Sequence, residues 1–235
     1  MVIFQMADGY IIIQESKEEA EESEKFVGYN YYWDVEAGLI GDFTIETKDG
    51  EVRCHGGMLR AVFPYFKGLF EMNDLLKKDT TKTKLDFLDH GSIKKLVKFA
   101  YTDDIDLVFS EIEHLVEAAG YFQSDKVTKE CDKYIAARIS PGRSMKWYEL
   151  SSKYNLHQTL KVSYRQALKF FTFHIHRISL KQLHPNNLQS LLNDDRLNVE
   201  NEDLVIEALL EWCSHEPSER SEITQELLAH VRFNY

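Results

Sequence analysis

The chain has 235 residues, 43% of them hydrophobic, and a formal net charge of −11 at pH 7. That length accommodates one large domain or two small ones, and the apolar content supports a packed core and excludes global disorder. The acidic balance lacks the basic footprint that nonspecific DNA or RNA binding needs. The opening MVIFQMADGY has no basic region followed by a long apolar run, and no stretch approaches the ~18 apolar residues of a membrane span. With only three cysteines, a reducing cytoplasmic or nuclear setting follows, in which Cys54, Cys131 and Cys213 are expected to be reduced and buried.

Residues 10–13, Tyr-Ile-Ile-Ile, are an apolar β-former expected to dock as a strand. Residues 14–25, QESKEEAEESEK, are charge-dense without apolar periodicity and read as a solvated linker or a loose helix. Phe26, Tyr29 and Trp33 then recur at helical spacing. From Gly41 the period changes to two: Phe43 and Ile45, a Lys48-Asp49-Gly50 turn, then Val52 and Cys54 predict a β-hairpin. Leu59, Val62/Phe63, Phe66 and Leu69/Phe70 return to helical spacing, with Pro64 ending one helix and opening the next. Glu71–Lys84 is polar and rich in Lys and Thr, and reads as a loop. Leu85, Phe87 and Leu88 predict a short strand.

Ser92 is a candidate cap for a helix carrying Ile93, Leu96, Val97 and Ala100. Ser110 and Glu113 form a capping-box pattern before Ile112, Leu115, Val116, Ala119 and Phe122. A further helix after Ser124 carries Val127, Cys131, Tyr134 and Ile135. Pro141-Gly142 marks a boundary. Beyond it every pattern is helical: one long stripe from Leu156 to Ile175, a second capping box at Ser179–Gln182, Leu188–Leu192 after Pro185, a stripe from Leu204 to Trp212 closed by Pro217, and a last one at Ile223, Leu227, Leu228 and Val231.

The hairpin, His55, the helix at Leu59 and Pro64-Tyr65-Phe66 through Phe70 together resemble the opening of a BTB (POZ) domain. Residues LVKFAYTDDIDL, HLVEAAGYFQSDKV and CDKYI resemble its second half. Residues 188–202, with Val205, Ala208, Leu209, Trp212, Arg220 and 227–233, resemble the BACK domain that follows BTB in Kelch-type proteins. The resemblance implies an α+β fold, a small sheet flanked by helices, followed by an all-α domain. Its divisions would be an acidic extension at 1–25 with a candidate exchanged strand at 10–13, a BTB domain at 26–140 and a BACK domain at 141–235. The chain stops at Tyr235, where that family runs on toward Kelch repeats, and either a truncated parent or the lack of a recognition module fits.

No Gly-x-Ser-x-Gly, phosphate loop or dinucleotide fingerprint occurs. His174 and His176 point to different faces of a helix and Cys54 and His55 to opposite faces of a strand, so neither pair suits metal or nucleophilic chemistry. The resemblance implies no enzyme, no cofactor and no metal. It implies a homodimer, or a dimer with another BTB protein, through Phe26, Tyr29, Trp33, Asp42, Ile11 and Ile13. It further implies adaptor work: seating the N-terminal region of cullin-3 at Met72, Asn73 and Asp74, the nearest match to a hydrophobic-x-Glu loop triplet, while holding an unknown substrate protein. The alternative is a dimerising scaffold that recruits no cullin. The family's basic residue after the structural His is here Gly56, followed by Gly57. Asp42 is therefore expected to be a buried carboxylate without its partner, unless Arg53 or Arg60 substitutes. His55 is expected to bond to backbone. Phe63 replaces a capping Ser.

Overall fold

The computed structural model describes residues 3–7, 10–14, 30, 32–37, 40–78 and 81–228. The chain divides into two units, residues 1–127 and 128–235. Strands β1 (Ile3–Ala7) and β2 (Tyr10–Gln14) pair antiparallel, with Ile3 opposite Gln14 and Ala7 opposite Tyr10. The strand expected at residues 10–13 is present, and its partner is a segment for which the sequence pattern gave no expectation. The acidic tract, Phe26 and Tyr29 lie outside the described residues. Residues 32–36 form a helical turn, α1.

The period-2 segments form a hairpin, β3 (Phe43–Thr47) and β4 (Gly50–Cys54), with Phe43 opposite Cys54 and Ile45 opposite Val52. Gly50 takes φ +149°, a conformation the turn requires and a side chain resists. The alternation buries Phe43, Ile45, Val52 and Cys54 on one face. Burial pushes the Cys54 thiol up to about 12, so it is an inert core group.

Helices α2 (Gly56–Val62) and α3 (Pro64–Leu76) meet at the expected Pro64 break. Phe63 offers no capping oxygen, but its ring is buried among Phe66, Phe99 and Phe122. The loop expected from Glu71 onward is not there: α3 continues to Leu76 and is closed by Lys77 in the left-handed conformation, φ 51°. Strand β5 is Lys82–Lys84, parallel to β3, and not Leu85–Leu88. It is an edge strand (the sheet order is β4-β3-β5), so polar side chains suffice and the backbone supplies the pairing. Leu85 still extends the ladder by one bond, donating to the Glu46 carbonyl at 2.8 Å, while Phe87 lies in an exposed turn.

Helix α4 (His90–Thr102) is capped by Asp89 and not by Ser92; Asp89 Oδ2 accepts the Ser92 amide at 2.7 Å and its hydroxyl at 2.9 Å. Burial raises that carboxyl, but the Ser92 bonds outweigh it and hold Asp89 below its ordinary value. Helix α5 (Ile112–Tyr121) starts from Glu111 without a side-chain cap, so the Ser110/Glu113 box does not form. Helix α6 (Asp125–Ala136) buries Val127, Cys131 and Ile135.

After a 3-10 turn at Pro141–Arg143 come α7 (Ser144–Lys153), α8 (His157–Lys169), α9 (Phe171–His174), α10 (Ile178–Lys181), α11 (Pro185–Leu192), α12 (Glu202–Cys213) and α13 (Pro217–Leu228). The single stripe expected from Leu156 to Ile175 is split at Phe170, yet Phe171 and Ile175 reach the core as expected. Cys213 is partly exposed, against expectation, and Val231 lies outside the described residues. No helix among the described residues is long and apolar enough to cross a membrane.

Three polar residues fasten this helical core. Asp132 accepts the Thr159 amide at 2.7 Å and the Gln158 amide at 2.9 Å, serving as a remote cap for α8. His174 is fully buried; its Nε2 donates to the Pro141 carbonyl at 3.0 Å, and its Nδ1 lies 3.3 Å from Ser179 Oγ. Helix α10 starts at Ile178 with Arg177 at the cap position, so Ser179 lies inside its first turn, the expected capping box does not form, and α10 has no side-chain cap. Arg220 donates to the carbonyls of Lys181 at 2.6 Å and Trp212 at 3.1 Å, pairs with Glu216, and stacks 4.3 Å from the Trp212 ring.

Three stability outcomes follow, each readable by chemical unfolding. A Cβ at Gly56 would sit 2.9 Å from Phe70 Cζ, whereas one at Gly57 would meet nothing within 4 Å. Gly57→Ala should stabilise by about 0.5–1 kcal/mol, the helix-propensity gain; Gly56→Ala should destabilise, because Phe70 must leave its packing. Asp132→Ala should cost about 1–3 kcal/mol by orphaning two helix amides, with Asp132→Asn recovering part of it. Burial, aided by the nearby Arg177 charge, lowers the His174 pKa below its ordinary 6.5. Below that value the unfolded chain binds the proton more readily than the folded one, so stability should fall as pH drops beneath about 6.5. His174→Gln should be less stable at pH 7 and show a shallower acid dependence.

Candidate protein-interaction surfaces

Helical turn α1 is anchored by one face. Tyr32 and Val35 are buried, and Trp33 projects outward with 59% exposure. The Tyr32 ring lies 6.3 Å from that of Tyr101. Burial raises the Tyr32 pKa, and the charge of Glu36 adds to it. Beside the turn is a groove of about 260 Å³, lined by Tyr32, Glu36, Arg53 and Lys94 among others. Of the residues proposed for the dimer face, Trp33 and Asp42 have described side chains; Ile11 and Ile13 lie in β2.

Asp42 is not a buried orphan. It is exposed at the start of β3, and its Oδ1 accepts the Gly56 amide at 2.8 Å. The helix N-terminus that follows thus supplies the donor which a basic side chain was expected to provide. Arg53 Nε donates to the Gly41 carbonyl at 3.3 Å, and Arg60 lies 3.7 Å from Asp74. Gly56 is dictated by Phe70, whose ring occupies the space a side chain would fill. Next to it opens a groove of about 340 Å³ bordered by Asp42, Phe43, Gly57, Arg60 and Phe70. His55 bonds to a hydroxyl and not to backbone. Its amide donates to Tyr101 Oη at 2.9 Å, and that hydroxyl lies 2.9 Å from His55 Nδ1. Burial pushes Tyr101 up to about 12, so it remains a neutral phenol.

Met72, Asn73 and Asp74 lie in the last turns of α3, not in a loop. Met72 is 55% exposed, and Arg60 joins this end of α3 to the Asp42 groove through its pair with Asp74. Sequence reasoning missed the neighbours that enlarge this surface: Leu75 is 84% exposed and Leu76 55%. The available signal was two adjacent leucines inside an otherwise polar segment. A second exposed group was also missed. The Phe87 ring lies 4.9 Å from Tyr121, whose hydroxyl donates to Tyr65 Oη at 3.3 Å. Burial raises the Tyr65 pKa, and the bond from Tyr121 adds to it.

Cys54 Sγ is buried 3.7 Å from the Phe43 carbonyl while His55 is held by Tyr101, so the two do not form a nucleophile–base pair. His174 is enclosed, and His176 faces Glu207 and Glu211 on the surface. Among the described residues no group of three or more His, Cys, Asp or Glu could hold a metal ion.

Comparison with known proteins places these features. The family model described as BTB/POZ domain matches residues 35–139, and that described as BACK, BTB And C-terminal Kelch, matches residues 144–235. Human Kelch-like protein 38 is 29% identical over 198 residues, covering 84% of this chain and 34% of that protein. Its mouse counterpart is 27% identical over 197 residues, with the same coverage. Human Kelch repeat and BTB domain-containing protein 2 is 25% identical over 199 residues, covering 85% of this chain and 32% of that protein. The chain thus spans about a third of the length of the curated relatives it matches. Both matched domains are non-catalytic interaction modules. The chain belongs to the BTB–BACK family: a BTB/POZ domain followed by a BACK domain, related to the Kelch-like proteins.

Proposed function

We propose that this chain is a dimerising adaptor, cytoplasmic or nuclear, that carries a substrate protein to a cullin-3 RING ubiquitin ligase. The observation that supports it most is the exposed apolar end of α3. Met72, Leu75 and Leu76 stand in solvent beside the Asp74 carboxylate, and an apolar cluster left uncovered at a helix end marks a protein contact. In this reading Met72, Asn73 and Asp74 touch the N-terminal helices of the cullin. Trp33, with Phe26, Tyr29, Asp42, Ile11 and Ile13, contributes to a dimer face shared with a second copy or another BTB protein. The adaptor performs no chemistry. It raises the effective concentration of a substrate lysine near the ubiquitin-charged enzyme, and a dimer presents two such sites.

A second reading is a dimerising scaffold that recruits no cullin. It is favoured by the position of the triplet inside a helix and by Asp74 where the family pattern has Glu. Calorimetric titration with the cullin-3 N-terminal domain separates the two. Adaptor work requires a dissociation constant in the micromolar range or below, and a Met72→Ala/Leu75→Ala variant with an unchanged unfolding midpoint should bind at least about tenfold more weakly. No heat of binding at tens of micromolar would leave the scaffold. Light scattering tests the dimer on its own: Trp33→Ala should shift the wild-type dimer toward monomer, and a wild type that is monomeric well above micromolar concentration would refute this face.

A further inference from the structure

The charge of residues 128–235 is segregated along the chain. Residues 128–184 contain eleven Lys and Arg against three Asp and Glu, and residues 185–235 contain three against eleven. Helix α8, HQTLKVSYRQALK, holds no acidic residue at all. It buries Thr159, Ser163 and Ala167, a stripe at four-residue spacing. Lys161, Arg165 and Lys169 repeat at the same spacing two residues on, which is the opposite face, and all three are exposed. Among the described residues no carboxylate pairs with any of them, whereas Lys95, Lys98, Lys181 and Arg220 all have acidic partners. Like charges four residues apart repel on a helix. Of the three, Lys169 alone has a visible local benefit, in the last turn of α8 and 5.3 Å over the Phe170 ring.

We propose that the solvent face of α8 is a docking surface for an acidic peptide segment of a partner protein. Successive cations are about 6 Å apart along the helix, and the stripe is about 12 Å long. Alternate residues of an extended peptide repeat at about 6.8 Å on one side. A segment with Asp or Glu at every second position therefore meets Lys161, Arg165 and Lys169 in register. A long nucleic-acid polyanion fits less well, because charge beyond the stripe would meet a chain whose net charge is −11. This surface does not depend on cullin recruitment.

The test is fluorescence anisotropy of the full chain with a labelled twelve-residue peptide of alternating Glu and Ser, in roughly 50 mM and then 300 mM salt, where screening differs most. The expected result is binding that weakens with salt and weakens at least about tenfold in Lys161→Glu/Arg165→Glu/Lys169→Glu. Reversal of the α13 acids, Glu219→Lys/Glu222→Lys/Glu226→Lys, should not weaken it. Should the first triple variant unfold, the neutral Lys161→Gln/Arg165→Gln/Lys169→Gln replaces it, with the same direction expected. Equal affinity for wild type and the neutral variant overturns the proposal. So does the absence of binding at low salt, tighter binding of an RNA oligonucleotide or an anionic phosphatidylserine vesicle lost in the same variants, or salt-dependent self-association without peptide binding.

Discussion

The aromatic core of the N-terminal unit is centred on the ring of Phe63. Pro64 must start a new helix, and the residue before it is forced into an extended conformation, φ −115° and ψ 120°. In that geometry the Phe63 side chain turns inward and meets Phe122 edge-on at 5.2 Å, while Phe66 meets Phe122 at 4.9 Å and Phe43 at 6.0 Å. One cluster thus joins the sheet, the α2–α3 corner, α4 through Phe99 and the end of α5. A capping hydroxyl at this position contributes about 1 kcal/mol. A fully buried aromatic ring contributes about 1.5–3 kcal/mol, with more from its edge contacts. The ring wins, and the direction of α3 is settled by it. The far end of that helix is carried past the core, so Met72, Leu75 and Leu76 are exposed as a consequence of how Phe63 and Phe66 are seated.

The helical unit is held differently. Two of its helices have only four residues, and such short helices leave most of their terminal amides and carbonyls without intrahelical partners. Asp132 satisfies two amides of α8 and Arg220 bonds the carbonyls of Lys181 and Trp212 at helix C-termini, while His174 adds a bond to the Pro141 carbonyl, which also takes the Ser144 amide and hydroxyl. The apolar core around Trp212, Leu209 and Leu188 supplies most of the stabilisation. The polar anchors decide which helix ends lie together, since a buried unpaired amide or carbonyl costs more than the bond itself is worth.

Much of this fold was legible in the chain because its signals are local. The β3–β4 alternation, the Pro64 break and the helical stripes at Ile112–Phe122 and Val205–Trp212 depend on neighbours within one or two turns. The misreadings share a cause. In Asp89-His-Gly-Ser92 either end carries a cap-forming oxygen, and only the geometry shows that Asp89 precedes the first turn. Ser179 fits a capping box by spacing, but the helix starts one residue earlier, with Arg177 at the cap position. Glu71–Lys84 looks polar enough for a loop, yet a helix already nucleated at Pro64 propagates through polar residues at little cost. The Asp132 cap had no sequence signal, because its helix begins 25 residues later. Asp42 differs again: the sequence shows that a basic side chain is missing at Gly56, whereas the backbone amide of that residue, the actual donor, has no signal in residue identity.

Interaction modules act through surface they leave uncovered, and the two units leave theirs in different ways. At the end of α3 the uncovered surface is apolar, and its exposure is opposed by water at any ionic strength. On α8 the uncovered surface is cationic; its cost is mutual repulsion, which salt relieves. The surfaces therefore call for partners of different character. An apolar helix end selects by shape and area buried and holds under physiological salt. A stripe of three cations selects by spacing of charge, captures quickly and releases readily. If both are occupied in the same molecule, the first suits a lasting assembly and the second a ligand that must come and go.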